Sequence, residues 1–193
     1  MTLASFPFDN LRRSAYEIIY ADPPWSFSAW SKKGDGRSAK RHYDCMKLAD
    51  IKALPVAELA GDNCALFLWV TDPFLDAGME TLKQWGFRYV TKAFTWVKLN
   101  PSGEGYFMST GYYTRANDET CLLGIKGKMR RQDAAVRQLV VEPRREHSRK
   151  PDRIADDIIR LFGERPRIEL FARTQRPGWD CWGNETSKFE EAA

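Results

Sequence analysis

The 193-residue chain has few residues of the kinds that bind metals or cross-link small folds. It contains two histidines, His42 and His147, and four widely spaced cysteines without a C-x-x-C pair. We therefore expect neither a metal site nor a disulfide framework, and reduced thiols favour a cytoplasmic protein. The longest uninterrupted apolar run, from Ala65 to Val70, is too short to span a bilayer, and no secretory signal is expected.

Net charge is only +4, but the basic residues are unevenly distributed. Residues 126–153 contain ten Lys and Arg against four Asp and Glu, and residues 31–41 contain five against one. Together the two segments carry +10, so the rest of the chain carries −6. This pattern is typical of a protein with a polyanionic partner, but two solvated surface loops would give it as well.

Predicted strands and helices alternate along the chain, which favours an α/β domain with a mostly parallel sheet. Helices are predicted at 48–59, with a break at Pro55, at 73–85, and from Pro151 to 162. Segment 31–41 is polar and predicts a loop, and segment 100–113 is a long loop rich in Gly and Tyr. Strands are predicted at 17–21, 64–71, 89–99, 119–126, 139–142 and, as the last one, 168–172.

The tetrapeptide Asp22-Pro23-Pro24-Trp25 directly follows the first predicted strand. Its chemistry suits methylation of the adenine amino group, a poor nucleophile whose lone pair is delocalised into the ring. A carboxylate from Asp22 and a carbonyl from Pro23 could both accept hydrogen bonds from that amine and favour its nucleophilic form. Two prolines would hold the carbonyl rigidly, and Trp25 offers a flat face to a base. Asp-Pro-Pro is also ordinary turn chemistry, so the tetrapeptide alone leaves both interpretations open.

Further segments along the chain, together with the tetrapeptide, point to one specific protein family. They are Leu66-Phe67-Leu68-Trp69-Val70-Thr71, Trp96-Val97-Lys98, Cys121 to Gly127, Lys150-Pro151-Asp152, Ile168 to Arg173, and Trp179 to Asn184. With these segments, in this order, the chain resembles the MT-A family of S-adenosylmethionine-dependent N6-adenine methyltransferases over roughly residues 16–185. The length of the chain fits a single domain, residues 1–193, with a loose tail expected at 186–193. The resemblance implies a Rossmann-like class I methyltransferase fold in permuted order, with the catalytic motif first.

The resemblance also assigns roles around the methyl donor. Asp22, Pro23, Pro24 and Trp25 carry over as the catalytic motif. Lys150 matches a family lysine near the carboxylate of S-adenosylmethionine, and a lysine just before a helix also suits an anion physically. The remaining matches are Phe171 and Arg173, which would line the donor pocket, and Asn184 and Glu185, which would bind its ribose hydroxyls.

On the target side, Tyr43 and Glu119 match family residues near the base. Two basic sets are expected to contact phosphates, with the first also acting as a substrate gate. These sets are Lys32, Lys33, Arg37, Lys40 and Arg41 in one loop, and Arg130, Arg131, Arg144 and Arg145 in the other. The chain departs from the family pattern on the donor side. The family has a His-Asn pair that contacts the donor after the position of Arg173, and Gln175 is its nearest substitute in this chain. Asp9 is a candidate counterpart of an Asp that contacts the donor adenine.

These observations predict methyl transfer from S-adenosylmethionine to the N6 amino group of adenine in nucleic acid. DNA is favoured over RNA, because the chain is compact and lacks the extensions of the eukaryotic mRNA enzymes. Three alternatives stay open: an N4-cytosine methyltransferase, a non-catalytic nucleic-acid-binding subunit, and methylation of RNA or a small adenine compound. No recognition domain is evident, so unpaired bases are expected to be good substrates, with a partner or a homodimer adding base readout.

Overall fold

A computed structural model describes residues 6–8, 10–25, 46–146 and 149–188. None of the helices in these ranges is long and apolar enough to cross a membrane. Single 3-10 turns lie at Val56–Glu58 and Asp72–Phe74. The elements, in chain order, are β1 (Tyr16–Ala21), α1 (Leu48–Ala53), β2 (Ala60–Val70), α2 (Leu75–Gln84), β3 (Arg88–Leu99), β4 (Asp118–Lys126), β5 (Leu139–Pro143), α3 (Arg153–Phe162), β6 (Arg167–Leu170) and β7 (Asp180–Trp182).

The strands form one seven-stranded sheet in the order β5-β3-β4-β2-β1-β6-β7. Neighbouring strands are parallel except where β4 pairs antiparallel with β2 and with β3. Six strands therefore run in one direction and β4 runs against them. The predicted α/β fold with a mostly parallel sheet is confirmed, and it is consistent with a Rossmann-like methyltransferase.

Each predicted strand is present, but segment 168–172 was wrongly predicted to be the last. Strand β7 follows it and pairs in parallel with β6. With only three residues, Asp-Cys-Trp, β7 is too short to show the alternation by which strands are recognised.

The predicted helices are correct in place but too long. Helix α1 ends at Ala53, because the residue before Pro55 takes the extended conformation that proline imposes on its predecessor. Pro73 lies in the 3-10 turn that precedes α2. Helix α3 begins at Arg153 rather than at Pro151, whose carbonyl accepts the N–H of Ile154.

Separate apolar cores cover the two faces of the sheet, because successive side chains along β1 and β2 point to opposite faces. One core contains Ile19, Leu66 and Leu68 together with buried residues of α1 and α2. The other contains Ile18 and Phe67, packed with the apolar stripe of α3. Both strands are buried on both faces. The packing of β1 therefore fixes the position at which the tetrapeptide begins.

One edge of the sheet gathers the segments with functional side chains. The parallel strands β1, β2, β3 and β6 all end there, and the reversed strand β4 begins there. Asp22 after β1, Glu119 at the start of β4 and Phe171 after β6 therefore meet at the same edge. This is where ligands bind in open α/β sheets.

Candidate active site

The backbone of the tetrapeptide forms a tight turn. The Trp25 N–H donates to the Pro23 carbonyl over 2.8 Å, and the Met46 N–H donates to the Pro24 carbonyl over 3.2 Å. A carbonyl oxygen has two lone pairs, so Pro23 can accept a second hydrogen bond. The turn holds this oxygen in a fixed position next to Asp22.

The Trp25 ring is held by packing and by its indole N–H. Only 7% of Trp25 is exposed, and its Nε1–H donates to the carbonyl of Trp69 over 3.0 Å. The ring stacks on Phe74 at a centroid distance of 5.8 Å and an interplanar angle of 18°. Trp25 therefore shapes a cavity wall, and its stacking on a target base stays a prediction.

Four charged side chains form a chain of ion pairs beside the turn. Lys150 Nζ lies 2.5 Å from Asp22 Oδ2 and 3.1 Å from Glu119 Oε2, and Lys98 Nζ lies 2.5 Å from Glu119 Oε1. Lys150 is 7% exposed. Such pairs hold each other in place because each partner alone would be costly to bury.

Burial and neighbouring charges shift the pKa values of three of these ion-paired side chains in different directions. Burial raises the pKa of Asp22; the attraction of Lys150 opposes this, and the repulsion of Glu119 adds to it. Burial also works against ionisation of Glu119, but Lys150 and Lys98 outweigh it and lower the pKa of Glu119 to about 2. For Lys150, burial is outweighed by Asp22 and Glu119, which raise its pKa. Glu119 and Lys150 thus stay charged at neutral pH, and Asp22 is the more easily protonated of the two carboxylates.

Trp69 connects the tetrapeptide to these ion pairs, a role that the sequence did not indicate. Its ring lies 5.3 Å from Lys150 Nζ, and its carbonyl accepts the Trp25 indole N–H. Its own Nε1–H donates to the hydroxyl of Tyr20 over 2.8 Å. Lys98 was also missed as a site residue, although its place at the carboxyl end of β3, where ligands bind in such sheets, is a usable signal.

The segment that carries Lys150 is anchored through Asp152. Arg145 Nη1 lies 2.6 Å from Asp152 Oδ2, and Arg176 Nη1 lies 3.0 Å from Asp152 Oδ1. Arg145 also donates to the carbonyl of Lys150 over 3.0 Å, and Arg176 pairs with Glu169 at 2.9 Å. Arg145 is thus engaged in holding Lys150 in place and is not simply a surface cation.

A smaller cavity of ≈ 270 Å³ opens on one side of Asp22. All four residues predicted for the donor pocket besides Lys150 line it, namely Phe171, Arg173, Asn184 and Glu185. Arg173 Nε lies 3.1 Å from Glu185 Oε2. The other lining residues are Asp22, Pro23, Pro24, Met46, Ala172, Trp182 and Gly183.

A larger cavity of ≈ 650 Å³ opens on the other side of Asp22. Trp25, Glu119 and Lys150 line it, together with residues of the segment between β3 and β4. Asp22 and Pro23 line both cavities. The two spaces therefore meet at the carboxylate and carbonyl that the sequence predicted to be catalytic.

Several predicted site residues lie outside the described residues. On the target side these are Tyr43 and the basic set Lys32, Lys33, Arg37, Lys40 and Arg41; on the donor side it is Asp9. Gln175, the suggested substitute for a donor contact, is exposed and does not line the smaller cavity.

The second basic set is divided between two ends of the sheet. The backbone N–H of Arg144 donates a hydrogen bond to the carbonyl of Leu99 at the active-site edge, and its guanidinium lies 4.3 Å from the Phe107 ring centroid.

Arg130 and Arg131 instead lie at the opposite edge, between two residues whose backbone is anchored there. The backbone N–H of Lys128 donates to the side-chain oxygen of Asn63, and the backbone N–H of Gln132 donates to the carbonyl of Leu161. At about 3.3 Å per residue, the length of β2 separates the two edges by roughly 20–30 Å. The expectation that all four arginines lie in one loop is wrong, because β5 separates the two pairs and the antiparallel β4 ends far from Asp22. Their contact with phosphates stays a prediction.

The fold and the site together define a class of protein. A mostly parallel sheet with Asp-Pro-Pro-Trp directly after the inner strand β1, where two cavities meet, is consistent with a Rossmann-like methyltransferase. The MT-A70 family model matches residues 16–185, and the chain belongs to the MT-A70 family.

Named relatives agree with this assignment. The chain is 36% identical to the type II methyltransferase M.MunI of Mycoplasma sp, over 92% of this chain and 81% of the relative. It is 30% identical to the human N(6)-adenine-specific methyltransferase METTL4, over 95% of this chain and 40% of the relative. It is also 30% identical to the human N(6)-adenosine-methyltransferase catalytic subunit METTL3, over 88% of this chain and 28% of the relative. The chain therefore spans most of the first relative and less than half of the other two.

Proposed function

We propose that this chain transfers a methyl group from S-adenosylmethionine to the N6 amino group of adenine in nucleic acid, with DNA favoured over RNA. The observation that carries the proposal is the meeting of the two cavities at Asp22 and Pro23. The choice of adenine rests on family membership and on the names of METTL4 and METTL3. The choice of DNA rests on similarity to the type II methyltransferase M.MunI, of which this chain covers 81%.

The residues of the smaller cavity fit the methyl donor. S-adenosylmethionine carries an aromatic base, a ribose diol and both charges of an amino acid, and it supplies an electrophilic methyl carbon on a sulfonium. The cavity offers the aromatic rings of Phe171 and Trp182, the amide of Asn184, and the opposite charges of Arg173 and Glu185. An amide and a carboxylate are suitable partners for a diol, and aromatic rings for a base.

The target adenine is proposed to enter the larger cavity. There, Asp22 and the Pro23 carbonyl accept hydrogen bonds from the two amino hydrogens and turn the nitrogen lone pair toward the smaller cavity. The Lys150 ion pair uses Oδ2 of Asp22, so Oδ1 can serve the substrate. The methylated nitrogen is acidic and loses its extra proton to water, so no histidine is required.

Lys150 has two proposed roles. It stays a candidate for binding the donor carboxylate, because its partner Asp22 lines both cavities. Its charge also opposes the effect of burial on the pKa of Asp22 and favours the ionised carboxylate, which is the stronger acceptor of N–H hydrogen bonds. Glu119 holds Lys150 from the other side.

The test is to incubate the purified protein with isotope-labelled S-adenosylmethionine and one substrate at a time: duplex DNA, single-stranded DNA, RNA or adenosine. Mass spectrometry of the digested product then identifies the methylated base. We expect N6-methyladenine, formed most rapidly in DNA. N4-methylcytosine, or methylation of free adenosine alone, would refute the proposal; faster methylation of RNA would correct the substrate.

A further inference from the structure

The segment between β3 and β4, residues 100–117, carries apolar side chains that the proposed chemistry does not use. Tyr106 is 67% exposed, Met108 is 60% exposed and Tyr113 is fully exposed. Exposed aromatic side chains that cluster in one segment are a mark of a binding surface. We refer to Tyr106, Met108 and Tyr113 as the rim residues.

The backbone of this segment is held by specific hydrogen bonds. The Asn117 amide donates to the Lys98 carbonyl over 3.0 Å, and Arg115 Nε donates to the Ser109 carbonyl over 2.6 Å. At Gly111 a Cβ would lie 1.8 Å from the Thr114 carbonyl oxygen, so the turn there requires glycine. Tyr113 therefore lies in an ordered turn.

Each rim residue is next in sequence to a residue that lines the larger cavity. Phe107 and Ser109 line the cavity and flank Met108, while Tyr112 and Thr114 line it and flank Tyr113. Arg144, which also lines the cavity, places a cation beside this surface. An aromatic surface with an adjacent cation is the combination that binds unpaired nucleotides.

We propose that Tyr106 and Tyr113 stack on the nucleotides that flank the target adenine. This inference rests on the proposed function. When an adenine leaves its strand to enter a cavity, its neighbours lose a stacking partner, and an aromatic ring at the cavity mouth replaces it. Every base has a flat face, so such a surface binds many sequences and does not select one. It favours single strands and distorted sites over perfect duplex.

The experiment measures binding of a short fluorescent single-stranded DNA with one adenine, and the KM and kcat of its methylation. Tyr113→Ala and Tyr106→Ala should each weaken binding and raise KM about 5-fold to 100-fold, the range of one base–aromatic stack, with kcat nearly unchanged. Tyr113→Phe should behave as wild type, because stacking does not need the hydroxyl. Val90→Ala, which alters an exposed apolar side chain at the start of β3, is the matched control.

A second arm tests contact between ring and base. Abasic sites on both sides of the adenine should weaken binding to the wild-type protein, and Tyr113→Ala should add little further loss on that DNA. Full additivity of the two losses would overturn the inference, as would tyrosine variants that match Val90→Ala. A changed oligomeric state with unchanged DNA affinity would overturn it in favour of a second copy on this surface. Failure of the wild-type protein to methylate any nucleic acid would instead refute the proposed function.

Discussion

The two cavities beside Asp22 are built in different ways. The larger one depends on charged side chains, since Asp22, Lys150, Glu119 and Lys98 hold one another through ion pairs. The smaller one depends on close backbone packing between the segments that follow β6 and β7. One cavity should therefore be sensitive to changes of charge and pH, and the other to added volume.

Close backbone packing around the smaller cavity is seen at Phe171 and Ala172. Phe171 has a φ of 60°, in the left-handed region, which is uncommon for a bulky residue and costs about 1–3 kcal/mol. Its ring packs edge-to-face on Trp182 at 5.3 Å. The Ala172 N–H donates to the Trp182 carbonyl over 2.9 Å, which joins the two segments directly.

The largest effect is expected where the cavities meet. Asp22→Asn keeps the shape of the side chain but removes the charge that attracts the amine hydrogens. Methylation should fall by roughly two to four orders of magnitude, while affinity for S-adenosylmethionine changes little. Single-turnover kinetics and calorimetry measure the two quantities. Near-normal turnover would remove Asp22 from the mechanism.

The charged cavity is tested by two substitutions with opposite effects on Asp22. In the proposed mechanism ionised Asp22 is the active form, and burial raises its pKa, so activity should be lost as pH falls through that raised value. Lys150→Met removes an attraction that lowers the pKa of Asp22, and should move this loss to higher pH. Glu119→Gln removes a repulsion that raises it, and should move the loss to lower pH.

The pH dependence of kcat/KM measures these shifts. Lys150→Met should also reduce the free energy of unfolding by about 3–5 kcal/mol, because two buried carboxylates lose their common partner. Shifts in the same direction for both variants would contradict the proposed coupling.

The packed cavity is tested by adding one methyl group. In Gly183→Ala the new Cβ would lie 2.6 Å from the Ala172 carbonyl oxygen and 2.8 Å from its nitrogen. The segments after β6 and β7 must then move apart, and donor affinity should weaken by about 1–3 kcal/mol. Gly61→Ala, whose Cβ would lie at an ordinary 3.4 Å from the Tyr16 carbonyl, is the control for calorimetry. Equal donor affinity in both variants would show that this packing does not shape the donor site.

The smallest effect is expected from surface charge. Arg144→Gln at the active-site edge should weaken DNA binding for all sequences and reduce its salt slope by about 1, as for one phosphate contact. Joint replacement of Arg130 and Arg131 by Gln, at the far edge, should leave affinity and slope unchanged. Fluorescence anisotropy at several salt concentrations distinguishes the two variants, and a reduced slope for the far-edge pair would place substrate on both edges.

The sequence was sufficient where local pattern and chemistry coincide. The continuous apolar run along β2 predicted a buried strand, and Asp22 to Trp25, predicted to be the catalytic motif, lie where the two cavities meet. The family resemblance implied that Phe171, Arg173, Asn184 and Glu185 belong to the donor site, and these residues do line one cavity. Each of these predictions depends on a few neighbouring residues or on a motif of fixed order.

Only the tertiary structure decided which distant charges become partners. Lys150 and Asp22 are separated by 128 positions in the chain, and no local pattern indicates that they form an ion pair at 2.5 Å. The reversed direction of β4 brings Glu119 to this pair and carries Arg130 and Arg131 away from it. The physical reason is that strand direction and order are properties of the whole sheet, and they determine which loops share an edge.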